Sequence, residues 1–233
     1  MMRRLALAFA LAALGCSLEP PFDRSNPFDP GSPYEMRLVG VPDTLDARGA
    51  RFTAVIERDP PLNIDDLSIR WEAIDPRFGS VPPAPPPPST LVIPLADGEF
   101  VLSANLSAEF VTTSIGARFN SAIVVGRNIV VGQRARTLTL SCASGACDAT
   151  PLGIGANASI ASSATDANGH TLSGLQHAMA RATVISRNPG VIAPNVTPNA
   201  AGSYGVTAVG AGSTWVVITV DFATDSVRFV VDP

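Results

Sequence analysis

The sequence is poor in the residues that carry most electrostatic and catalytic chemistry. Its 233 residues include no lysine, only two histidines and three cysteines, and charged residues make up 15% of the chain. The formal net charge is −4, and no segment concentrates basic side chains. Because nucleic acids are bound through basic patches, this balance argues against a nucleic-acid partner.

Catalytic and metal-binding motifs are also missing. The sequence contains no Gly-x-Ser-x-Gly, Ser-x-x-Lys or His-Glu-x-x-His pattern. His170 and His177 have no Cys or Glu at ligand spacing, so we expect His170 to be an exposed turn residue. Asp65 and Asp66 are adjacent, which on a strand sends their carboxylates to opposite faces. The sequence therefore predicts a protein that is not an enzyme and has no metal or cofactor.

Proline and glycine are abundant instead, at 21 and 19 residues, and hydrophobic residues reach 46%. Turn-forming residues spread evenly among apolar, β-branched runs are typical of many short strands joined by tight turns. This composition predicts an all-β protein that is large enough for one or two domains.

The N-terminus has the features of an export signal. Arg3 and Arg4 precede ten uninterrupted apolar residues, 5–14. As a helix these would span about 15 Å, half of the ~30 Å hydrocarbon core, which indicates a signal peptide and not a membrane span. The sequence Ala13-Leu14-Gly15-Cys16 resembles a bacterial lipoprotein signal, which implies cleavage before Cys16 and lipidation of that residue. Ser17, by the sorting habit of that family, implies the outer membrane. An ordinary secretory signal with a free Cys16 thiol is the alternative.

Residues 16–35 are rich in proline and lack hydrophobic periodicity, so we interpret them as a semi-stiff tether. Asp23, Asn26 and Asp29 do not fit the spacing of a calcium loop.

From residue 36 onward, strand patterns begin, and residues 67–73 place Trp71 as an expected core anchor. The proline run at 81–88 is either a rigid loop or a docking ligand. Gly126 splits the apolar run at 116–131, which suggests a bulge or a turn.

A second set of strand patterns starts near residue 136. Cys142 and Cys147 are the two cysteines left if Cys16 is lipidated, and in an exported chain a disulfide is the economical interpretation; a redox or metal pair is the alternative. Residues 166–169 form a hairpin-type turn, and residues 180–186 and 226–231 are expected strands. In residues 203–222 two alternating runs flank Gly210-Ala211-Gly212, which predicts a hairpin with Val206, Val216 and Ile218 on its buried face.

These segments occur in an order that resembles the bacterial Ig-like domain of the Big-2, intimin/invasin type. The matching segments are Thr165–Gly169, Ser186–Ile192, Val206–Thr214 and Val227–Val231. The resemblance implies an Ig-like β-sandwich over residues 132–233. Residues 36–131 resemble the front half of the same module through 41–45, 51–56 and 71–76.

The predicted organisation is therefore a lipoprotein signal peptide (1–15), a lipidated Cys16 with its Pro-rich tether (16–35), and two Ig-like β-sandwich domains in tandem (36–131 and 132–233). The predicted function is that of a non-catalytic lipoprotein of the bacterial envelope, anchored to the membrane by its N-terminal lipid. Its domains would act as a structural spacer or as an adhesion module for an unidentified protein. The alternative is a surface that binds an envelope polysaccharide. An exposed aromatic side chain is typical of such sites, whereas Trp71 and Trp215 are both expected to be buried.

Overall fold

The computed structural model of the chain describes residues 35–59, 69–74, 92–96, 98–102, 106–119, 122–142 and 147–233. Cys16, the tether up to residue 34, the Asp65-Asp66 pair and the proline run at 81–88 lie outside these ranges. Within them the chain is built almost entirely of strands, with one short helix. None of the described helical structure is long and apolar enough to cross a membrane.

Nine strands form the first sandwich. They are β1 (Glu35–Val39), β2 (Thr44–Leu45), β3 (Arg51–Thr53), β4 (Val55–Asp59), β5 (Ile69–Ile74), β6 (Val92–Ala96), β7 (Glu99–Leu102), β8 (Val111–Phe119) and β9 (Ala122–Val131). One sheet has the order β2-β9-β8-β5, and the other side is made by β1-β4 and β3-β7-β6. Strands β3 and β4 are two halves of one strand, separated only by Ala54, whose N–H donates to the Gly98 carbonyl at 2.7 Å.

Aromatic and aliphatic side chains fill the space between these sheets. Phe100 is fully buried; Phe52 stacks on it with ring centroids 5.0 Å apart, and Trp71 meets its edge at 5.9 Å. Trp71 is half-buried and packs against this core, as expected from its position in the strand.

The second sandwich contains eight strands and the helix. They are β10 (Thr137–Cys142), β11 (Leu152–Gly153), β12 (Asn157–Thr165), α1 (Leu175–Met179), β13 (Thr183–Ser186), β14 (Ile192–Pro194), β15 (Tyr204–Ala208), β16 (Gly212–Val220) and β17 (Ala223–Asp232). The two sheets have the orders β10-β12-β15-β14 and β11-β17-β16-β13.

Both sandwiches share one topology. In chain order the seven main strands A to G form sheets A-B-E-D and G-F-C, which is the order of an Ig constant-type domain. A short extra strand after A, β2 in one sandwich and β11 in the other, runs parallel to strand G. The predicted fold class, all-β with two Ig-like β-sandwiches in tandem, is confirmed.

Strict alternation builds the second core. Val206, Val216 and Ile218 are buried while their chain neighbours face outward, as the sequence pattern predicted. Tyr204 is fully buried beside them, and its hydroxyl donates to the carbonyl of Met179 at the end of α1. Burial raises the pKa of Tyr204, so the hydroxyl stays protonated and can donate.

The predicted hairpin at 203–222 is wrong. Strand β15 pairs with β12 and β14, whereas β16 pairs with β13 and β17, so the Gly-Ala-Gly turn carries the chain from one sheet to the other. The turn packs on the preceding loop: a Cβ on Gly210 would lie 2.7 Å from the Gly190 carbonyl oxygen. Only glycine allows that approach.

Several element boundaries also differ from the sequence-based expectation. Gly126 lies within the continuous strand β9, and the bulge of this strand pair is at Ala117/Arg118. The strand expected at 180–186 starts at Thr183, because the preceding residues form α1 and its C-terminal turn. The turn at 166–169 forms, but it ends in an isolated bridge between Thr165 and Thr171 and not in a hairpin.

Candidate functional site: the joint between the sandwiches

The two sandwiches meet through loops at one end of each. The first sandwich contributes the loops at 46–50 and 106–110, and the second contributes 166–173, Arg181 and the turn at 221–222. Residues 132–136 run between them as the linker. We call this region the joint.

Every backbone N–H of the linker is hydrogen-bonded. Gly132, Gln133 and Arg134 donate to the carbonyls of Leu45, Ser107 and Asp46 in the first sandwich, at 3.0, 2.7 and 2.9 Å. Ala135 and Arg136 donate into the second sandwich, to Asp221 Oδ2 at 2.9 Å and to the Thr165 carbonyl at 2.8 Å. The bonds to the first sandwich end at Arg134 and those to the second begin at Ala135, so no residue of the linker is left unbonded to act as a hinge between the sandwiches.

Buried polar groups lie at the centre of the joint. Gln133 is fully buried and Asp166 is 2% exposed. The amide Nε2 of Gln133 donates to Asp166 Oδ2 at 3.0 Å and to the Thr171 carbonyl at 3.3 Å, while its Oε1 accepts from the Ser173 N–H at 2.8 Å. Buried polar groups are costly unless paired, and here the linker glutamine is paired by the second sandwich on both of its amide atoms.

The Asp166 carboxylate accepts four hydrogen bonds in all. Besides Gln133, the N–H of Arg48 donates to Oδ2 at 2.8 Å, and the N–H groups of Asn168 and His170 donate to Oδ1, both at 3.0 Å. Burial by itself would raise the pKa of Asp166, but these hydrogen bonds to the ionised form outweigh it and hold the pKa below its ordinary value. The carboxylate therefore remains charged and serves as an acceptor shared by both sandwiches and the linker.

Further hydrogen bonds join the sandwiches without the linker. Asn168 Nδ2 donates to the Arg48 carbonyl at 2.7 Å, and Ala108 N–H donates to the Ser173 carbonyl at 2.7 Å. Arg181 donates to the Ala108 carbonyl at 2.8 Å and pairs with Asp221 at 3.2 Å. These bonds fix both the separation and the rotation of one sandwich relative to the other.

Arginine and phenylalanine side chains alternate along the outside of the joint. Arg136 lies 3.8 Å from the ring centroid of Phe222, Arg134 lies between Phe222 and Phe110 at 5.6 and 5.0 Å, and Arg181 lies 4.5 Å from Phe110. Each such contact contributes on the order of 0.5–1 kcal/mol at an exposed site. A Cβ on Gly132 would lie 2.4 Å from the Phe110 ring, so the linker glycine leaves space for this series of alternating arginine and phenylalanine side chains.

The cysteine pair predicted from the sequence is a disulfide. Cys142, the last residue of β10, is bonded to Cys147 with a Cα–Cα distance of 5.0 Å, and both residues are buried. His170 lies at the joint with an exposed side chain, and His177 is exposed on α1. In the described parts of the chain, no group of three or more His, Cys, Asp or Glu residues is placed to hold a metal ion.

Trp215 is not in the core, contrary to the sequence-based expectation. It is 42% exposed on the outward face of β16, because its neighbours Thr214 and Val216 occupy the buried face. The β16 pattern is strictly alternating over this stretch, so the buried aliphatic residues leave the tryptophan no inward position. An aromatic side chain is thus exposed on the outward face of this sheet.

The chain resembles several solved structures, but no family model and no curated protein matches it. Among solved structures, FdeC, an Escherichia coli adhesin, matches 86% of this chain and 64% of its own at 14% identity, with a TM-score of 0.39. The Yersinia pseudotuberculosis adhesin InvE matches 86% of this chain and 59% of its own at 13% identity, with a TM-score of 0.45. Titin A168-A169 matches 85% and 96% at 12% identity, with a TM-score of 0.44.

The chain thus spans less than two thirds of either adhesin structure. The Ig-like assignment rests on the strand order described above, which both sandwiches share.

Proposed function

We propose that this protein is a non-catalytic lipoprotein of the bacterial envelope. Its two Ig-like sandwiches would form a stiff spacer that holds an interaction surface at a fixed distance and orientation from a lipid on Cys16. The observation that carries the proposal is the joint, in which the buried Gln133–Asp166 pair and a fully bonded linker lock the sandwiches together. A flexible tandem would need none of these contacts.

A stiff joint suits a spacer for a physical reason. Domains joined by a flexible linker sample many relative orientations, and a partner that contacts the outer domain must then pay for ordering it. A joint with charge-assisted and buried hydrogen bonds removes that cost in advance. The sequence adds the N-terminal anchor, with Ser17 after Cys16 favouring the outer membrane.

Mass spectrometry of the protein recovered from the envelope tests the anchor. The proposal predicts a mature chain that starts at Cys16 and carries acyl chains on that residue, and a Cys16→Ser variant that is neither lipidated nor retained in the membrane fraction. A wild-type chain with an unmodified Cys16, or a mature N-terminus elsewhere, contradicts the lipoprotein assignment.

A polysaccharide-binding role is the second candidate, and the exposure of Trp215 is the observation that favours it. It is compatible with the spacer, since the spacer would then present a glycan-binding face.

A further inference from the structure

Trp215 lies between two arginines on the neighbouring strands. Arg228 on β17 is its direct partner in the antiparallel register. On the other side, Arg187 follows β13 and its N–H donates to the Trp215 carbonyl at 2.9 Å. All three side chains are exposed. Since adjacent strands are about 4.8 Å apart, the two arginine backbones flank the indole at about 10 Å from each other.

Neither of these arginines is neutralised by another residue that the structure describes. Within the described residues, the side chains of Arg187 and Arg228 have no ion pair or hydrogen bond, whereas Arg136 and Arg181 at the joint each pair with an aspartate. Two unpaired guanidinium groups beside an indole form a local positive site on a chain whose net charge is −4. An anionic ligand is the complement of such a site.

The surroundings of the Arg187–Trp215–Arg228 row combine apolar and hydroxyl groups. Ile185, which is 56% exposed, and the half-buried Val217 continue the apolar surface beside Trp215. Ser213 and Thr219 are exposed along the same side of β16. A ligand that fits has a flat apolar face, hydroxyls that can bond, and anionic groups at intervals. These are the properties of a polysaccharide whose sugar units carry carboxylate or sulfate groups.

Other occupants fit less well. A second copy placed by a twofold axis over this face would set arginine against arginine, because such an interface uses the same patch on both subunits. An acidic protein surface would supply carboxylates for the two arginines but no sugar ring for the indole, and poly-glutamate represents such a partner in the test below. A polysaccharide chain lying along the row leaves the guanidinium groups partly hydrated while it binds them.

We propose that the Arg187–Trp215–Arg228 row binds an acidic polysaccharide, with a sugar ring against the indole and an anionic group on each guanidinium. The proposal deepens the second candidate function, and it rests on an envelope location only for the supply of such polymers. Its failure would leave the lipid on Cys16 and the stiffness of the joint unaffected, because those are measured separately.

The test uses the full lipidated chain in detergent micelles, with polygalacturonate as the probe. Methyl-esterified polygalacturonate, which keeps the sugar rings and removes the charge, and poly-glutamate, which keeps the charge and removes the rings, are the matched controls. We expect polygalacturonate to bind at least about tenfold more tightly than either control, to shift the Trp215 emission, and to weaken as salt is raised. Equal binding of poly-glutamate overturns the proposal in favour of an acidic protein partner, and no binding of polygalacturonate also overturns it.

Variants then locate the site on the protein. Trp215→Ala, Arg187→Ala and Arg228→Ala should each weaken binding by about tenfold or more, since each removes a stacking or charge-assisted contact. Trp215→Phe should retain most of the affinity, and Arg51→Ala, which removes an exposed arginine of the first sandwich, should not change it. Affinity that is unaltered in the three alanine variants, at unchanged melting temperature, shows that the ligand binds elsewhere and refutes the proposal.

Discussion

Replacing Asp166 by asparagine probes the joint at the atom on which it depends most. The substitution keeps the shape of the side chain and removes its charge. The carboxylate accepts four hydrogen bonds, two on each oxygen, from Arg48, Gln133, Asn168 and His170. An asparagine offers one oxygen and one NH₂ group, so two of the four donors would face another donor whichever way the amide is turned.

The expected cost follows from those two lost bonds. A hydrogen bond to a charged group contributes about 1.5–3 kcal/mol, and a buried donor left unpaired costs a similar amount. Rotation of the Gln133 amide could rescue its bond to residue 166, but Nε2 would then face the Ser173 N–H that Oε1 now accepts. We therefore expect Asp166→Asn to lower the free energy of unfolding by about 3 kcal/mol.

Equilibrium urea unfolding measures this change, and the chain supplies a reporter in each sandwich. Trp71 belongs to the first and Trp215 to the second, so Trp71→Phe and Trp215→Phe backgrounds isolate each signal. Asp166→Asn should destabilise the second sandwich and should also separate its transition from that of the first. Asp232→Asn, which changes an exposed aspartate at the end of β17, is the control. A loss below about 0.5 kcal/mol for Asp166→Asn, the range of ordinary surface substitutions, would show that the carboxylate does not hold the joint together.

Three further predictions concern acid, the disulfide and a buried hydroxyl. The folded-state pKa of Asp166 lies below its unfolded value. Its contribution to stability is therefore fully present above about pH 4 and is lost as pH falls through the folded pKa. Unfolding measured across acid pH should show this loss in the wild type and a smaller loss in Asp166→Asn. Reduction of the Cys142–Cys147 bond should cost about 2 kcal/mol, since the closed loop is short, and calorimetry with and without reductant measures it; an unchanged melting temperature would contradict this estimate. Tyr204→Phe should cost about 1–2 kcal/mol in urea unfolding, because the Met179 carbonyl loses a buried donor, and a neutral result would mean that this bond contributes nothing.

Strands β15 and β16 were predictable because their buried residues alternate with outward-facing ones. Val206, Val216 and Ile218 follow the period of two that a half-buried sheet demands, and all three are buried. The same pattern also determines the position of Trp215, which falls between two inward residues. Its expected burial was wrong because Trp215 is out of phase with the buried residues of the strand.

The crossing between β15 and β16 could not be inferred from its turn. Gly210-Ala211-Gly212 is compatible with a hairpin and equally with a connection between sheets, because turn residues specify local backbone geometry and not the partner of the next strand. The partner is decided by pairing with β12, β13 and β17, which are distant in the chain.

Most of the joint could not be predicted from the sequence. The turn at Asp166 was predicted, and its bonds to Asn168 and His170 are local ones that Asp commonly makes. Its bonds to Arg48 and Gln133 connect residues 118 and 33 positions apart, and they exist only once both sandwiches have folded and met. In the sequence, Gln133 is one polar residue in a short linker, and no local pattern marks it as buried.

The most direct test of a stiff joint is the distribution of distances between the two sandwiches. Spin labels at Thr112 on β8 and Ser213 on β16, both exposed, report it by pulsed electron paramagnetic resonance of the full chain. A stiff joint should give one narrow distribution in the wild type and a broader one in Asp166→Asn. A broad or multimodal distribution in the wild type would contradict it.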